Sequence, residues 1–258
     1  MVSFIHGEEL QPMLMVSNYR KRIYGHYATA RRQSLAPATL EDLKPRIPYL
    51  QKLIRQHFPH DRSSTILDLG CGHGALIRLA RQAGYRNLRG IDVSPEQVTA
   101  AKRLCIEGVE EGDVMETMFK EPNAAFDCLI TFDLIEHFNR NELISLVDEV
   151  HRVLRSEGRW IIHTANAESP FGMRSRYGDF THELAFTRTS LSQLLLSSGF
   201  SRLDCYEDKP IPHGVKSTVR WMFWKVIRSF LRFYLVVETG DIDSDAIFSQ
   251  NFLAVAFK

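Results

Sequence analysis

The sequence predicts an α/β fold: a mostly parallel, seven-stranded twisted sheet with helices on both faces, an N-terminal helical cap and a helical insertion before the last strand. Three observations predict it. From residue 64 onward, short apolar runs alternate with stretches of helical periodicity. A glycine turn, Gly70-Cys-Gly-His-Gly74, joins the first run to the first helix. Later runs end in acids (Asp92, Asp113 and Asp133), where the carboxyl ends of parallel strands would face a ligand.

Composition sets the bounds. The 258 residues suffice for one large domain or a domain with additions. Hydrophobic content is 44% and charged content 24%, ordinary for a globular chain. A formal net charge of +1 gives no argument for a nucleic-acid partner, and the Arg20–Arg22 and Arg31–Arg32 clusters are too small to argue one, so none is expected. Cys71, Cys105, Cys128 and Cys205 lack metal-ligand or C-x-x-C spacing, and no helical H-x-x-x-H site occurs, so no metal is expected. Widely spaced cysteines read as reduced thiols of a cytoplasmic protein. His6, Glu8 and Glu9 rule out a signal peptide in the first ten residues, and no uncharged apolar run is long enough to span a membrane.

Residues 1–63 are expected to form the cap, ahead of a ligand-binding domain at 64–258. Tyr19 to Tyr27 mixes basic and aromatic residues. Leu40, Leu43, Ile47, Leu50, Leu53 and Ile54 recur at helical spacing, broken by Pro45 and Pro48. Two readings stand: a packed cap, or a lid that closes over two reactants and excludes water. In the second, Tyr19, Tyr24 and Tyr27 contact substrate.

Thr65 to Ala75 reads as strand, glycine turn, helix. Ile66, Leu67 and Leu69 form the strand, with Asp68 among them; Leu76, Ile77, Leu79, Ala80 and Ala83 form the helix, ending at Gly84. The turn puts bare main chain and free helix N–H groups beside a ligand. Asp68 would repel a pyrophosphate; it suits a ligand carrying an ammonium and a sulfonium. Ile66-Leu-Asp-Leu-Gly-Cys-Gly-His-Gly74 resembles motif I of the class I S-adenosylmethionine-dependent methyltransferases, which have a Rossmann-like fold. The resemblance implies S-adenosyl-L-methionine as cofactor, held by Asp68, Gly70, Cys71, Gly72 and Gly74.

Leu88 to Asp92 is the second strand. Asp92 lies 18 positions after Gly74 and can accept both ribose hydroxyls, with Val93 beside it. Ser94 then reads as a helix N-cap with Pro95 at the first position. Val109 to Val114 is the third strand, ending in Asp113; the resemblance implies that Asp113 takes the adenine amino group and Val114 gives it a backbone N–H. Cys128 to Phe132 is the fourth, a buried run. The resemblance sets Phe132 and Asp133 near the methyl donor, and Glu136-His137 is similar to a pair in small-molecule methyltransferases, including ubiquinone-biosynthesis O-methyltransferases. His137 is a candidate proton acceptor, or a helix-start histidine bonded to backbone. Asn141 to Leu154 is helical, with Arg155-Ser-Glu-Gly158 read as its last turn and glycine cap. Arg159 to Thr164 is the fifth strand.

The loop after that strand is dense in groups that bind hydroxyls or take protons: Asn166, Arg176, Tyr177, Asp179, His182 and Glu183. At least half of them are expected only to brace the loop. Thr189 and Ser190 cap the next helix. Leu203 to Glu207 and Phe252 to Phe257 are the last strands, which the resemblance pairs antiparallel. Between them, residues 210–248 are rich in aromatics, with Lys216, Arg220, Arg228 and Arg232 at multiples of four. The stretch 216–237 suits a helix packed over the sheet or against a partner with its arginines outward, which is favoured, and also a helix lying in a membrane interface. The latter would place the protein peripherally at the inner face of the membrane. A homodimer is left open.

Arg176 to Phe186 and the aromatic-basic insertion resemble small methyltransferases of bacterial polysaccharide and glycan biosynthesis. The expected activity is therefore methyl transfer to a hydroxyl of a small molecule, with a sugar, free or lipid-linked, favoured. A quinone or lipophilic phenol O-methyltransferase, an N-methyltransferase and a non-catalytic donor-binding regulator are the alternatives. The candidate bases are His182, His137 and Glu183, in that order, and the substrate contacts Tyr24, Tyr27, Asn166, Arg176, Tyr177 and Asp179.

Overall fold

Seven strands order the computed structural model, which describes residues 20, 22–27, 29, 36–240, 242 and 246–258. They are β1 (Ile66–Leu69), β2 (Leu88–Asp92), β3 (Val109–Glu111), β4 (Phe126–Phe132), β5 (Leu154–Ala165), β6 (Arg202–Glu207) and β7 (Asn251–Phe257). Their order across the sheet is β3-β2-β1-β4-β5-β7-β6. β1 to β5 pair in parallel, and β7 runs antiparallel to both β5 and β6. The chain reverses direction across the sheet at β1 and β4, so their carboxyl ends open a crevice there.

Helices cover both faces because each has one apolar stripe to bury. On one face lie α1 (Ile47–His57) and α2 (Ala75–Gln82), whose Leu50, Leu53, Ile54, Ile77 and Ala80 pack on Ile66, Ile130 and Ile161. On the other lie α4 (Val114–Lys120), α5 (Arg140–Val153) and α7 (Arg188–Ser197), with Met118, Leu146, Val150, Leu191 and Leu195 around Leu67, Leu129 and Trp160. Each fully buried aliphatic side chain contributes about 1.5–3 kcal/mol. The polar end of Trp160 is satisfied: its indole N–H donates to Thr131 Oγ1 at 3.0 Å. α3 (Pro95–Arg103) follows β2, and the short α6 (Gly172–Arg176) lies in the loop after β5.

Several local expectations are revised. Pro48 does not break a helix; it sits in the first turn of α1, where no intrahelical N–H is needed. Because α1 shares its core with β1, the expected boundary at residue 63 falls inside one continuous core. α4 was not foreseen: Asp113 ends no strand but caps this helix, accepting from Glu116 N. α5 stops at Val153, and residues 155–158 belong to the irregular start of β5, where the pairing with β4 shifts register. Gly158 serves that bend, since a Cβ there would lie 2.7 Å from Arg155 O. The cap of α7 is Thr187, bonded to Ser190 N.

The insertion forms one long helix, α8 (Val215–Thr239). Its arginines are not all outward. Arg228 turns inward to Glu207 at the end of β6, at 3.0 Å, and to Ala246 O at 3.1 Å. The large apolar side chains face out instead: Phe223 is 65% exposed, Phe230 71% and Phe233 68%. No helix among the described residues is long and apolar enough to cross a membrane.

Candidate active site

A cavity of about 1250 Å³ lies at the carboxyl ends of β1, β2 and β4. The glycine turn forms its floor. Gly72 and Gly74 both have positive φ (56° and 79°), and a Cβ on Gly74 would come within 2.5 Å of Val109 Cγ2. Only glycine fits that turn without strain.

Acids dominate this half. Asp68 is buried, and its Oδ1 has no hydrogen-bond partner. Burial, then the neighbouring Asp92 carboxylate, pushes its carboxyl up to about 8. Asp92 is held by two backbone donors, Gly72 N at 2.7 Å and Ser94 N at 2.8 Å. Each oxygen keeps a second lone pair for a ligand hydroxyl. Burial raises the Asp92 carboxyl despite those bonds. Ser94 holds the N-cap position of α3 but does not cap with its side chain; its buried Oγ is without a partner. Cys71, Val93, Asp113 and Val114 also line the cavity, Val93 41% exposed.

Phe132 and Asp133 line it from the end of β4. Asp133 Oδ1 lies 2.5 Å from His163 Nδ1, and the His163 ring stacks on Phe132 at 4.1 Å. Burial pulls the imidazole down, but Asp133 and then Asp208 outweigh it and hold it up to about 10. The same contact keeps Asp133 low against its burial. His163 was not among the sequence-derived site residues; it reads as an ordinary strand residue until β4 and β5 are paired.

The other half of the cavity holds a linked set of donors and acceptors. Tyr27 Oη donates to Asp179 Oδ2 at 2.8 Å. Thr181 Oγ1 donates to Asp179 Oδ1 at 2.7 Å, so it accepts from His137 Nδ1 at 2.9 Å. His182 Nδ1 donates to the Ser175 carbonyl at 2.9 Å. In neutral form both imidazoles therefore carry the proton on Nδ1 and the lone pair on Nε2. Their rings meet edge-on at 4.6 Å, and Tyr24 and Tyr27 stand edge-on to His137 at 6.2 and 6.4 Å. Burial, then His182, brings His137 down to about 4, so it is neutral near pH 7. Burial, then Asp133, pushes Glu136 up to about 8; its Oε2 accepts from Thr164 Oγ1.

The N-terminal segment crosses this half. Arg20 pairs with Glu142 in the first turn of α5 at 2.8 Å, and Thr29 Oγ1 donates to Glu96 on α3 at 2.8 Å. Tyr24 and Tyr27 between them line the cavity. Tyr19 lies outside the described residues.

Four sequence-derived candidates lie off the cavity. Asn166 is buried and fully used: Nδ2 donates to the carbonyls of Ile247 and Ser249, both at 2.8 Å, and Oδ1 accepts from Glu168 N. Arg176 clamps the carbonyls of His182 and Glu183. Tyr177 is 69% exposed beside it, and Glu183 is exposed with its backbone N–H on Glu136 O. These residues fix the loop that carries Asp179 and His182. Residues the sequence did not single out do line the cavity: Met115, Gln97, Ser175 and Asn251. Only their neighbours in the chain, all named above, could have pointed to them.

Fold and site together define a nucleotide-type binding site at the crevice of an open α/β sheet, with carboxylates suited to a cationic ligand. The match to a family model settles the class: residues 42–204 match the methyltransferase domain family, and the chain belongs to it. The chain is 27% identical over 143 residues to cyclopropane mycolic acid synthase 3 of Mycobacterium tuberculosis, a match spanning 50% of this chain and 46% of that protein. It is 33% identical over 92 residues to norajmaline N-methyltransferase of Rauvolfia serpentina, spanning 33% of this chain and 30% of that one. In each case the matched part is less than half of the relative. A methyltransferase of Archaeoglobus fulgidus has the same fold at TM-score 0.59 and 18% identity, covering 84% of this chain and 92% of that one. So does the 1,6-didemethyltoxoflavin-N1-methyltransferase of Burkholderia thailandensis, at TM-score 0.55 and 15% identity, covering 100% and 93%.

The family is that of methyltransferase domains, and the solved structures that share the fold include an S-adenosylmethionine-dependent methyltransferase, so S-adenosylmethionine is the cofactor to test against the site. The site fits that cofactor: the unpartnered Asp68 Oδ1, the Ser94 hydroxyl and the bare turn at Gly72 await polar groups, and the acids match a cationic donor.

Proposed function

We propose that the chain transfers the methyl group to a hydroxyl of a small polar acceptor, with a sugar hydroxyl as the favoured class. When bound, S-adenosylmethionine supplies a carbon already activated by its sulfonium. Asp68 would hold the donor's ammonium, Asp92 its ribose hydroxyls, and Asp113, Val93 and Val114 its adenine. Gly70, Cys71, Gly72 and Gly74 would lie under its chain, with Phe132 and Asp133 beside the reacting end. Most of the rate then comes from alignment and exclusion of water, the latter by the segment carrying Tyr24 and Tyr27.

The acceptor oxygen must lose a proton as it bonds to the methyl carbon. The observation that supports a base is the His137–His182 pair, each with Nδ1 bonded to an oxygen, which makes Nε2 the basic nitrogen of the neutral ring. His182 is the first candidate; His137, low in basicity, orients the acceptor or relays the proton. Asp179 and the tyrosines offer hydroxyl-binding groups and ring faces, as sugars require. A flat phenol or quinol is the second reading, favoured by the aromatic edges of Tyr24 and Tyr27 around His137.

The test is transfer of a labelled methyl group to a panel of nucleotide sugars, lipid-linked sugars, phenols and amines. A methylated sugar, with turnover lowered about 10²- to 10⁴-fold in His182→Ala and donor affinity unchanged, is the expected result. Transfer only to phenols or amines refutes the sugar class; full turnover in His182→Ala refutes the base.

A further inference from the structure

α8 is turned the wrong way for a helix that serves only its own core. Its less exposed side carries Ser217, buried, and Trp221, Trp224, Arg228 and Leu235, half-buried, and Arg228 ties that side to Glu207 and Ala246. Its outer ridge runs Val215, Val219, Met222, Val226 and then Phe230, Phe233 and Val237, all exposed. The spacing is four, three, four, repeated once, an eleven-residue period. That is about 3.67 residues per turn, which keeps the ridge on one side of a nearly straight helix; a left-handed coiled-coil seam needs 3.5. Phe223, Ile227 and Tyr234 widen the ridge to an apolar arc of about 140° at 100° per residue, broader than a two-position seam.

Charge frames the arc. At 100° per residue Arg220 borders one side and Lys225 lies beyond the other, its ammonium over the Trp221 ring at 3.8 Å, while Lys216 falls within the arc near its N-terminal end; Glu238 is the only acid in the helix. Arg228 and Arg232 are half-buried, and Arg228 is neutralised by Glu207. Asp241, Asp243 and Asp245 follow the helix, so its positive end is the N-terminal part. β6 is parallel to β5, since both oppose β7, and Glu207 is the last residue of β6. The anchor of α8 therefore lies on the sheet edge that carries the cavity.

We propose that the outer face of α8 docks on an anionic lipid surface, with the helix in the plane of the interface, its apolar ridge among the acyl chains and its flanking cations at the phosphates. The occupant is a membrane and not a second copy of this chain, because a broad, straight, apolar face flanked by cations matches a negatively charged plane. Like charges would instead meet across a two-fold pairing of this face. This docking does not depend on the acceptor proposed above.

The test is flotation of the full chain with vesicles of phosphatidylcholine alone and with phosphatidylglycerol added, at low and high salt, beside sedimentation in the absence of lipid. Binding that requires phosphatidylglycerol and weakens with salt is expected. Lys216→Gln with Arg220→Gln should lower it by about tenfold or more. Phe230→Glu with Phe233→Glu should abolish it while leaving S-adenosylmethionine binding intact, which shows the variant is folded. No binding to either vesicle, or binding indifferent to phosphatidylglycerol, overturns the proposal. So does a lipid-free dimer that the phenylalanine pair dissolves.

Discussion

Asp68 offers the sharpest handle on the donor site. Its carboxyl is buried without a partner and pushed up to about 8, so most of it is protonated at neutral pH in the ligand-free protein. A donor ammonium beside it favours the carboxylate, so binding expels that proton. The sign follows: affinity falls as pH drops below the free carboxyl's value, and is fully present above it. With a free value of about 8, a proton competes about tenfold at pH 7 and about a hundredfold at pH 6, so affinity should drop about tenfold between those two. The window is chosen below the range where an α-ammonium of about 7.7–8.0 begins to lose its own charge. Calorimetry of S-adenosylmethionine in two buffers of different ionisation enthalpy reads both the slope and the proton released. Asp68→Asn should bind more weakly at pH 7 and lose most of the slope, with Asp92 supplying the remainder. A flat wild-type profile, or an Asp68→Asn slope equal to wild type, refutes the assignment of Asp68 to the ammonium.

Other substitutions separate binding from support. Asp92→Ala removes the acceptor for Gly72 N and Ser94 N as well as for the ribose, and donor binding by calorimetry should disappear while the circular dichroism spectrum persists. Gly74→Ala forces a side chain onto a φ of 79° and into Val109, and should cost about 2–3 kcal/mol in urea unfolding. Asn166→Ala breaks three hydrogen bonds and should cost about 2–3 kcal/mol of stability with donor affinity unchanged; a loss of acceptor KM at full stability would return Asn166 to the substrate site. Tyr27→Phe removes one donor to Asp179 Oδ2 and should lower kcat/KM several-fold without moving the donor's Kd.

The donor half was legible because its parts are local. The β1 strand, the glycine turn and Asp68 lie within nine residues, and a strand followed by three alternate glycines has few ways to fold. Asp92 announces itself at the end of a short strand pattern, and Asp113 by its order after the first two motifs. Their detail was not legible: that Asp113 caps α4, or that Ser94 keeps its hydroxyl uncapped, depends on backbone angles the residue types only permit. The acceptor half was harder. Asn166, Arg176, Asp179 and His182 lie within seventeen residues and look alike in composition, yet two brace the loop and two face the cavity. What separates them is the distance to β7 and to Ser175, which no local pattern encodes.

By itself the sequence determined the seven strands and their order, most of the helices, the donor turn and the acids at Asp92 and Asp133, since periodicity and turn chemistry act over a few residues. Tertiary structure alone decided which groups meet: His163 with Asp133 across two paired strands, Tyr27 with Asp179 across 152 positions, and Arg228 with Glu207. It also decided that the aromatic side of α8 faces outward. A helix's amphipathic pattern fixes the angle between its faces, but which face meets the protein depends on where its ion pair and flanking chain are tethered, and that is a property of the assembled sheet.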